Sequence, residues 1–368
     1  MKYLAILGRQ PKISIAELSA LYGNIHQISA NLATFDFGTP PQINRLGGTI
    51  KLAEKITESP VDFLSHIDNK KIVFGLSDYS AHASAKSVFT ESLKLKKILT
   101  RHGHSVRIIT SKSPVLTTAT SLHNGLSGKN PHKIELIKVA NNWYRVIGIQ
   151  DIDAYSARDQ ARPARDAKVG MLPPKLAQIL INLCGPLSDG SCLLDPFCGT
   201  GVVLQEALLM GYRPYGTDIN PRMVEYSKKN LHWLISSNED TTSSFDISVG
   251  DATNYIWTPP IDAVACEGYL GTPMSQIPTD IVLKREKQAC EEIILSFLKN
   301  LAPQIKKDTP VVIAVPAWLR ENRTYSRLLI LDLLENMGYN VSNTSREGLL
   351  YHRDDQIVAR DIIIMRKI

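Results

Sequence analysis

The feature that most constrains the fold of this chain lies at residues 193–201, where an apolar run leads into Asp195 and two closely spaced glycines. The apolar run is typical of a short buried strand, and residues 202–210 continue with a helical pattern. A strand, a glycine turn and a helix in this order hold nucleotide-like ligands at the carboxyl edge of a sheet in α/β proteins. Gly199 and Gly201 carry no Cβ, so the backbone can approach a ligand closely. We expect Asp195 to accept hydrogen bonds from a cationic or amino-bearing ligand.

The spacing around this turn narrows the kind of ligand. Leu204 stands where a dinucleotide-binding fingerprint needs its third glycine, and the lysine of a P-loop is missing. Residues 213–217 predict a second strand, which ends at Asp218. An acidic residue about 20 positions past the glycines suits a ribose diol. Asn220 and Pro221 then predict the start of another helix. The sequence therefore predicts a ligand with a ribose but no pyrophosphate.

These two segments, residues 195–201 and 216–220, resemble the first two motifs of S-adenosylmethionine-dependent methyltransferases. The resemblance implies an α/β, class I (Rossmann-like) domain with a seven-stranded sheet and S-adenosylmethionine as cofactor. Asp251 and Ala252 follow the predicted third strand, where the resemblance implies that the carboxylate reads the adenine amine. A structural glycine turn in another kind of α/β protein, and an ordinary turn aspartate at Asp251, are the alternatives.

Composition bounds the class of protein. At 368 residues the chain is long enough for two or three domains, and 43% hydrophobic with 21% charged residues is ordinary for a globular protein. The five cysteines form no Cys-x-x-Cys pair, which favours a reducing compartment and argues against zinc or another bound metal. No apolar run approaches the roughly 20 residues of a membrane span, and the N-terminus does not resemble a signal peptide. We therefore expect a cytoplasmic protein without a membrane partner.

Positive charge is concentrated in one part of the chain. Residues 86–133 contain nine Lys or Arg against one acid, Glu91, whereas the whole chain has a net charge of only +6. Such a local excess is the electrostatic pattern expected for binding nucleic acid. The alternative is a solvated helix face. The candidate RNA-binding residues in this segment are Lys94, Lys97, Arg101, Arg107 and Lys112.

The first 150 residues alternate between predicted strands and helices. Their order is similar to that of a THUMP RNA-binding domain preceded by a small ferredoxin-like domain, with a helix at residues 118–126. No pair of exposed aromatics typical of base-stacking modules is visible, so recognition through phosphates and shape is expected. The predicted domains are 1–55 (ferredoxin-like), 56–150 (THUMP), 151–170 (linker) and 171–368 (methyltransferase).

The junction between the predicted domains carries a more specific resemblance. Residues 155–166 and 170–177 are similar to the linker of the tRNA guanosine-N2 methyltransferases of archaea and eukaryotes, which modify guanosine ten. Arg162 and Arg165 could then contact phosphate, and the loop at 170–173 could cover the methyl donor. Ordinary ion pairs in a charged linker are the alternative. The residues predicted to bind the cofactor are Met171, Leu172, Asp195, Gly199, Thr200, Gly201, Asp218, Ile219, Asp251 and Ala252.

The predicted fourth strand, residues 261–265, precedes the segment where amino-methyltransferases usually carry Asp/Asn-Pro-Pro-Tyr/Phe. This chain has Cys266, Glu267, Gly268 and Tyr269 there instead. An exocyclic purine amine is a weak nucleophile that needs an acceptor for its N–H groups and an aromatic ring to hold the flipped base. Glu267 can be that acceptor and Tyr269 that ring. The missing prolines leave the target atom and the activity open.

Cys266 supports another interpretation. A cysteine at this strand end could add to a pyrimidine ring and permit C5 methylation, although the usual neighbouring proline is missing; a plain buried cysteine is the alternative. Towards the C-terminus, residues 326–337 predict a helix, and residues 339–344 and 358–366 predict an antiparallel strand pair. Trp318 and Arg320 could contact RNA or simply pack.

Together with these patterns, the resemblance to the tRNA guanosine-N2 methyltransferases implies transfer of a methyl group from S-adenosylmethionine to the exocyclic N2 of a guanosine in tRNA. Two alternatives remain: a methyltransferase acting on another RNA or on DNA, and a non-catalytic tRNA-binding protein with a degenerate motif. The partner is expected to be tRNA. A small activating subunit is a further partner on which the sequence is silent.

Overall fold

The computed structural model describes residues 1–68, 71–166, 171–237, 244–258, 260–353 and 356–368. The chain divides into two compact units, Met1–Ala154 and Tyr155–Ile368. Gly170, at the start of the loop predicted to cover the methyl donor, lies outside the described residues. No helix within the described ranges is long and apolar enough to cross a membrane.

Among the residues that the structure describes, the first unit is built on one eight-stranded sheet with the order β2-β3-β1-β4-β8-β7-β5-β6. Strand β5 runs parallel to β6 and β7, and the other neighbours are antiparallel. The elements are β1 Lys2–Leu7, α1 Pro11–Tyr22, β2 His26–Ser29, β3 Leu32–Asp36, β4 Thr49–Ile56, α2 Pro60–Ser65, β5 Lys71–Asp78, α3 Ala85–Arg101, β6 Ser105–Ile109, α4 Thr118–His123, β7 Lys133–Val139 and β8 Asn142–Ile149, with a 3-10 turn at Ile43–Arg45. The next helix, α5 Ile152–Gln160, begins in this unit and continues past its end at Ala154.

The sheet crosses the predicted boundary at residue 55 without a break, because β4 contains that position and pairs with β8. The division into ferredoxin-like and THUMP domains stays a prediction. Helix α4 is shorter than the predicted 118–126, since its C-terminus turns at Asn124 and Gly125, which has φ +73°. Helix α5 occupies part of the segment predicted as a linker.

A buried ion pair joins the two halves of this sheet. Lys51 of β4 donates from Nζ to both oxygens of Glu135 in β7, at 2.6 and 2.9 Å. Both side chains are almost completely excluded from solvent. Lys51 also donates to the Leu116 carbonyl and to Ser121 Oγ, each at 2.9 Å, and Ser77 Oγ donates to Glu135 at 2.7 Å. The network satisfies the charges that burial would otherwise leave unpaired.

In its described ranges the second unit contains a nine-stranded sheet, of which seven strands follow the path β11-β10-β9-β12-β13-β17-β15. Strands β9 to β13 are parallel, and β17 is antiparallel to both β13 and β15. The elements are α6 Pro174–Leu183, β9 Cys192–Asp195, α7 Val202–Leu209, β10 Arg213–Asp218, α8 Pro221–Ser236, β11 Asp246–Val249, β12 Ala263–Glu267, α9 Asp280–Leu301, β13 Pro310–Leu319, β14 Tyr325–Ser326, α10 Leu331–Asn336, β15 Tyr339–Val341, α11 Asn343–Glu347, β16 Leu350–Tyr351 and β17 Val358–Lys367, with a 3-10 turn at Ala302–Gln304.

Two short strands extend the expected seven. Strand β14 pairs with β13, and β16 pairs with β17, each over two residues. The predicted helix at 326–337 is therefore wrong over its first turn: Arg323, with φ +63°, turns the chain back so that β14 pairs with β13. Only the later part of that segment forms the helix α10.

The strand order places a topological switch point between β9 and β12. Strands to one side of β9 follow the order of β10 and β11, and those on the other side continue through β12 and β13. In open α/β sheets ligands bind in the crevice at the carboxyl ends of the strands at such a point. Asp195, Asp218 and Glu267 end β9, β10 and β12, so the fold brings three carboxylates to this edge.

Candidate active site

A cavity of about 810 Å³ opens at the carboxyl ends of β9, β10 and β12. It lies entirely within the second unit and is also lined by β17 through Val358 and Arg360. Its volume is within the range of sites for drug-sized ligands and cofactors. Apolar walls come from Met171, Leu172, Phe197, Ile219, Tyr269 and Met274.

The turn between β9 and α7 forms one wall and depends on its glycines. Gly199 and Gly201 have φ of +51° and +82°, which other residues adopt only with strain. A Cβ on Gly201 would lie 2.9 Å from Ser227 Oγ, which donates to the Gly199 carbonyl at 2.7 Å. The Gly199 N–H donates to Asp218 Oδ2 at 2.9 Å, so the second strand end fixes the turn.

A buried amide connects this turn to the segment that precedes the domain. Asn230 on α8 donates from Nδ2 to the Thr200 carbonyl at 2.8 Å and to the Ala164 carbonyl at 2.9 Å. Its Oδ1 accepts from the Ala164 N–H at 2.9 Å. Asn230 is completely buried, and all three bonds end on backbone groups. Residues around Ala164 are therefore part of the wall that supports the cavity.

Asp195 lies at the end of β9 with only 2% of its surface exposed. One oxygen, Oδ1, accepts from the Phe197 N–H at 3.1 Å. Burial raises the pKa of Asp195 well above its usual value; the Phe197 N–H opposes that shift, and the nearby carboxylates of Asp218 and Glu267 add to it. A cation in the cavity would stabilise the ionised Asp195 carboxylate, so this environment favours a positively charged or amino-bearing ligand.

Glu267 ends β12 and forms an ion pair that the sequence did not predict. Its Oε1 accepts from Arg360 Nε of β17 at 2.8 Å. The side chain of Arg360 is 5% exposed and that of Glu267 is 17% exposed. Burial raises the pKa of Glu267, and the Arg360 guanidinium partly offsets that shift. Both side chains line the cavity, where the pair presents a fixed carboxylate.

The loop that follows Glu267 carries Tyr269, which is 40% exposed and lines the cavity. The Gly268 N–H donates to the Ala314 carbonyl at 2.9 Å and so continues the pairing of β12 with β13. Farther along, the Thr272 N–H donates to Glu286 Oε2 of α9 at 2.9 Å. The loop is therefore fixed at both ends, and it holds an aromatic ring beside the Glu267 carboxylate.

Most residues predicted to bind the cofactor line this cavity. They are Met171, Leu172, Asp195, Gly199, Thr200, Asp218 and Ile219. Gly201, Asp251 and Ala252 are not among the described lining residues. Asp251 Oδ1 instead accepts from the N–H and hydroxyl of Thr253, at 2.9 and 2.8 Å, and so closes a local turn. This turn occupies Oδ1 of Asp251, and a contact of its carboxylate with the adenine amine stays a prediction.

The structure does not bring Cys266 to the cavity. Its side chain is 0% exposed and packs in the core between the sheet and α9. Burial raises the pKa of the Cys266 thiol well above its usual value, with Asp195 adding to the shift. A nucleophilic cysteine needs an accessible thiolate. The buried-cysteine alternative therefore accounts for this residue, and the C5-methylation hypothesis loses its nucleophile.

Arg162 is also placed differently from its prediction. The side chain is buried, Nη2 donates to Met171 Sδ at 3.1 Å, and Asp159 lies 3.8 Å away. Burial lowers the pKa of Arg162, and Asp159 opposes the shift. Arg162 thus supports the domain from inside and is not exposed to phosphate. Arg165 remains exposed and donates to the Gln160 carbonyl at 3.2 Å.

Other charges of the linker form the ion pairs that the alternative interpretation expects. Arg158 donates to the buried carboxylate of Glu206, with Nε at 2.7 Å from Oε1. Arg222, which lines the cavity, donates to Asp166 at 2.7 Å. Elsewhere Trp318 is fully buried, and Arg320 pairs with Asp280 at 3.1 Å.

The basic residues predicted in the first unit form an exposed surface. On α3, Val88 and Leu95 face the core, while the cations lie on the solvent side. Glu91, the acid of this segment, pairs with Lys138 at 3.0 Å. The exposed candidates are Lys94, Lys97, Arg101, Arg107 and Lys112. These five side chains therefore lie where a partner could reach them from solvent.

Sequence reasoning missed three contributors to the site: Arg360, Asn230 and Phe197. Arg360 lies in the predicted last strand, residues 358–366, but nothing in its spacing indicates a partner 93 positions away in the chain. Asn230 looks like an ordinary polar position of a surface helix. Phe197 stands inside the glycine motif itself, and its ring meets Phe297 edge-on at 5.1 Å.

The strand order, the glycine turn and the strand-end cavity define the second unit as a class I methyltransferase domain. Residues 162–256 match a family model described as an RMKL-like methyltransferase domain. That match begins at Arg162, within the segment that Asn230 ties to the glycine turn.

Sequence similarity to individual curated proteins defines the family of this chain more closely. A tRNA (guanine(10)-N2)-dimethyltransferase of Methanothermobacter thermautotrophicus is 32% identical over 164 residues, which cover 44% of each chain. The enzyme of the same name from Methanocaldococcus jannaschii is 27% identical over 244 residues, covering 61% of this chain and 68% of the relative. A Methanothermococcus thermolithotrophicus protein named "Probable tRNA (guanine(10)-N2)-dimethyltransferase" is 34% identical over 140 residues, covering 38% of this chain and 78% of the relative.

The chain belongs to this family of tRNA (guanine(10)-N2)-dimethyltransferases. The match with the Methanothermobacter protein spans less than half of that relative's length.

Proposed function

We propose that this protein transfers a methyl group from S-adenosylmethionine to the exocyclic N2 of a guanosine in tRNA. The observation that carries the proposal is the position of Glu267 and Tyr269 in the same cavity as the glycine turn. A fixed acceptor, an aromatic ring and a donor cradle are the three parts that methylation of a base amine requires. The names of the curated relatives support tRNA as the substrate and guanosine ten as the target.

The residues of the cavity fit S-adenosylmethionine. Gly199, which has no Cβ, lets a ligand approach the backbone closely, and the buried Asp195 favours a cationic ligand. Asp218 lies at the second strand end, the position suited to a ribose, with Ile219 beside it as an apolar surface. When bound, the cofactor supplies an electrophilic methyl group on a sulfonium.

The chain's own residues then act on the base. Tyr269 holds the flipped base through its ring, and the Glu267 carboxylate accepts hydrogen bonds from the base amine. These bonds orient the nitrogen lone pair and oppose its delocalisation into the purine ring. Glu267 is also the group that receives the proton that the nitrogen loses after methylation.

The first unit supplies the electrostatic part of the proposal. Its exposed cations suit the phosphate backbone of a folded RNA, which binds through charge and shape. We propose that Lys94, Lys97, Arg101, Arg107 and Lys112 form the phosphate-binding surface, and that Arg165 adds a contact from the second unit.

The first experiment follows labelled methyl from S-adenosylmethionine into total tRNA, followed by analysis of the nucleosides and mapping of the labelled position. We expect N2-methylguanosine from the wild type and at least a 100-fold loss of kcat in Glu267→Gln, since the amide is a weaker acceptor and cannot take the proton. Glu292→Gln is the matched control, because Glu292 is an exposed glutamate of α9 outside the cavity lining.

The other outcomes separate the alternatives. Label in ribosomal RNA or DNA but not in tRNA would point to another nucleic-acid target. Label on a pyrimidine would contradict the role of Glu267. Tight tRNA binding without any label on any nucleic acid would indicate a binding protein that has lost the reaction.

A further inference from the structure

The Glu267 carboxylate is only partly occupied by its ion pair. Oε1 accepts from Arg360 Nε at 2.8 Å, while Oε2 has no hydrogen-bond partner among the residues that the structure describes. A carboxylate offers about four lone-pair positions on its two oxygens. The Glu267 side chain lines the cavity, so the remaining positions are available to a ligand there.

Arg360 holds this carboxylate in one place. It lies on β17, which pairs with β13 along nine residues, and its side chain is almost fully buried. Its Nη1 donates to Gln356 Oε1 at 3.4 Å, so the guanidinium has a contact on its far side as well. The ion pair therefore favours the ionised form of Glu267, which only accepts hydrogen bonds, and leaves the side chain little freedom to turn away.

The bases differ in what they offer to such a group. Guanine presents two adjacent donors, the N1–H and the N2 amine. Adenine and cytosine present an amine beside a ring nitrogen that carries a lone pair. An asparagine, which the usual motif often has, both accepts and donates and can serve either pattern; an ionised carboxylate accepts only and repels a ring lone pair.

We propose that the Glu267–Arg360 pair selects guanine, with the Glu267 carboxylate accepting from both the N1–H and the N2 amine, and with Arg360 as the positioning residue. This inference rests on the proposed function and adds a statement about the recognised edge. The guanine N1–H does not react with the methyl group, but under this proposal the enzyme needs it to recognise the base.

The test uses tRNA transcripts joined from two pieces, with one base varied at the position mapped in the first experiment. 2-Aminopurine keeps the amine but replaces the N1–H with a lone pair, and inosine keeps the N1–H but lacks the amine. We expect kcat/KM for 2-aminopurine to fall about 100-fold below that for guanosine, because a buried polar group is left unpaired. The inosine transcript should inhibit competitively. Methylation of 2-aminopurine within threefold of guanosine would overturn the proposal.

The Glu267→Gln variant provides a second, independent readout. Its amide can donate to the ring lone pair of 2-aminopurine, so the guanosine to 2-aminopurine ratio should narrow at least tenfold even as both rates fall. An unchanged ratio would contradict base selection by Glu267. If guanosine itself is not methylated by the wild type, the proposed function fails, and that result is distinct from equal use of both bases.

Arg360 is tested by its effect on Glu267. In Arg360→Lys and Arg360→Gln the acid limb of the kcat/KM profile should move to higher pH, more in the glutamine variant, because Glu267 loses the cation that keeps it ionised. The lysine variant keeps a charge and guards against a folding failure. Arg346→Gln is the control, since Arg346 pairs with Asp332 and Glu335 on the surface. An acid limb and a base ratio unchanged in both Arg360 variants would overturn the positioning role.

Discussion

Asp195 lies buried among carboxylates, and this has opposite effects on folding and binding. Burial raises its pKa above the ordinary 3.8, so the folded protein binds a proton that the unfolded chain releases. Folding stability from this group is therefore highest in acid and declines as pH rises through the raised pKa. A ligand cation reverses the balance by favouring the ionised form.

Asp195→Asn should consequently stabilise the ligand-free protein near neutral pH and weaken cofactor binding. Asparagine cannot ionise, so the midpoint of thermal unfolding should rise by roughly 2–4 °C at pH 8, with a smaller gain at pH 5. The affinity for S-adenosylmethionine should fall about tenfold or more, from loss of charge attraction. Thermal melts across this pH range and calorimetric titration measure the two effects; cofactor affinity equal to that of the wild type would contradict the role of Asp195.

The turn between β9 and α7 allows the effect of backbone strain to be separated from the effect of a steric clash. Gly201→Ala places a Cβ at φ +82° and 2.9 Å from Ser227 Oγ, so we expect about 1–3 kcal/mol of lost stability together with loss of cofactor binding. Gly190→Ala is the control, since Gly190 has φ +77° but open space around its Cβ position. It should lose stability through strain alone and retain cofactor affinity, as urea unfolding and titration would reveal.

The ion pair between Lys51 and Glu135 predicts that mutations of these two residues have non-additive effects on folding stability. Lys51→Met leaves Glu135 buried without its cation, which costs about 3–5 kcal/mol of folding stability. Adding Glu135→Leu removes the stranded charge and should recover most of that loss. Urea unfolding of both single variants and the double variant measures the coupling; a double variant no more stable than Lys51→Met would show that the charge is not the source of the cost.

The strand, turn and helix around Asp195 could be predicted because their signals are local: an apolar run, two closely spaced glycines and a helical pattern. The position of Asp218 at the end of the second strand could be predicted for the same reason. Contacts between distant segments could not be predicted. Arg360 reaches Glu267 only because the last long strand inserts beside β13, and Asn230 reaches Ala164 only through the packing of α8. Arg162 was misjudged because charge predicts exposure on average, whereas this guanidinium is enclosed.

The distribution of charge along the chain predicts how RNA binding should depend on salt. Replacing Lys94, Lys97, Arg101, Arg107 and Lys112 by Gln should weaken tRNA binding at least tenfold at physiological salt and raise KM more than it lowers kcat. Each lost phosphate contact reduces the slope of log K against log salt by about 0.7–0.9. Filter binding at several salt concentrations measures the slope. Lys306 and Lys307, exposed cations of the second unit, provide a charge control when both become Gln.

The buried amide of Asn230 also sets where a transferable catalytic piece begins. A fragment that begins at residue 171, the predicted domain start, would lack Ala164. The Asn230 amide would then lose two of its three hydrogen bonds. A catalytic fragment should therefore begin near Tyr155, where the second compact unit starts, upstream of the first motif. A chimera that joins this catalytic unit to a different RNA-binding module must therefore keep residues 155–166. This segment is needed for the structure of the catalytic unit, independently of any contact with RNA.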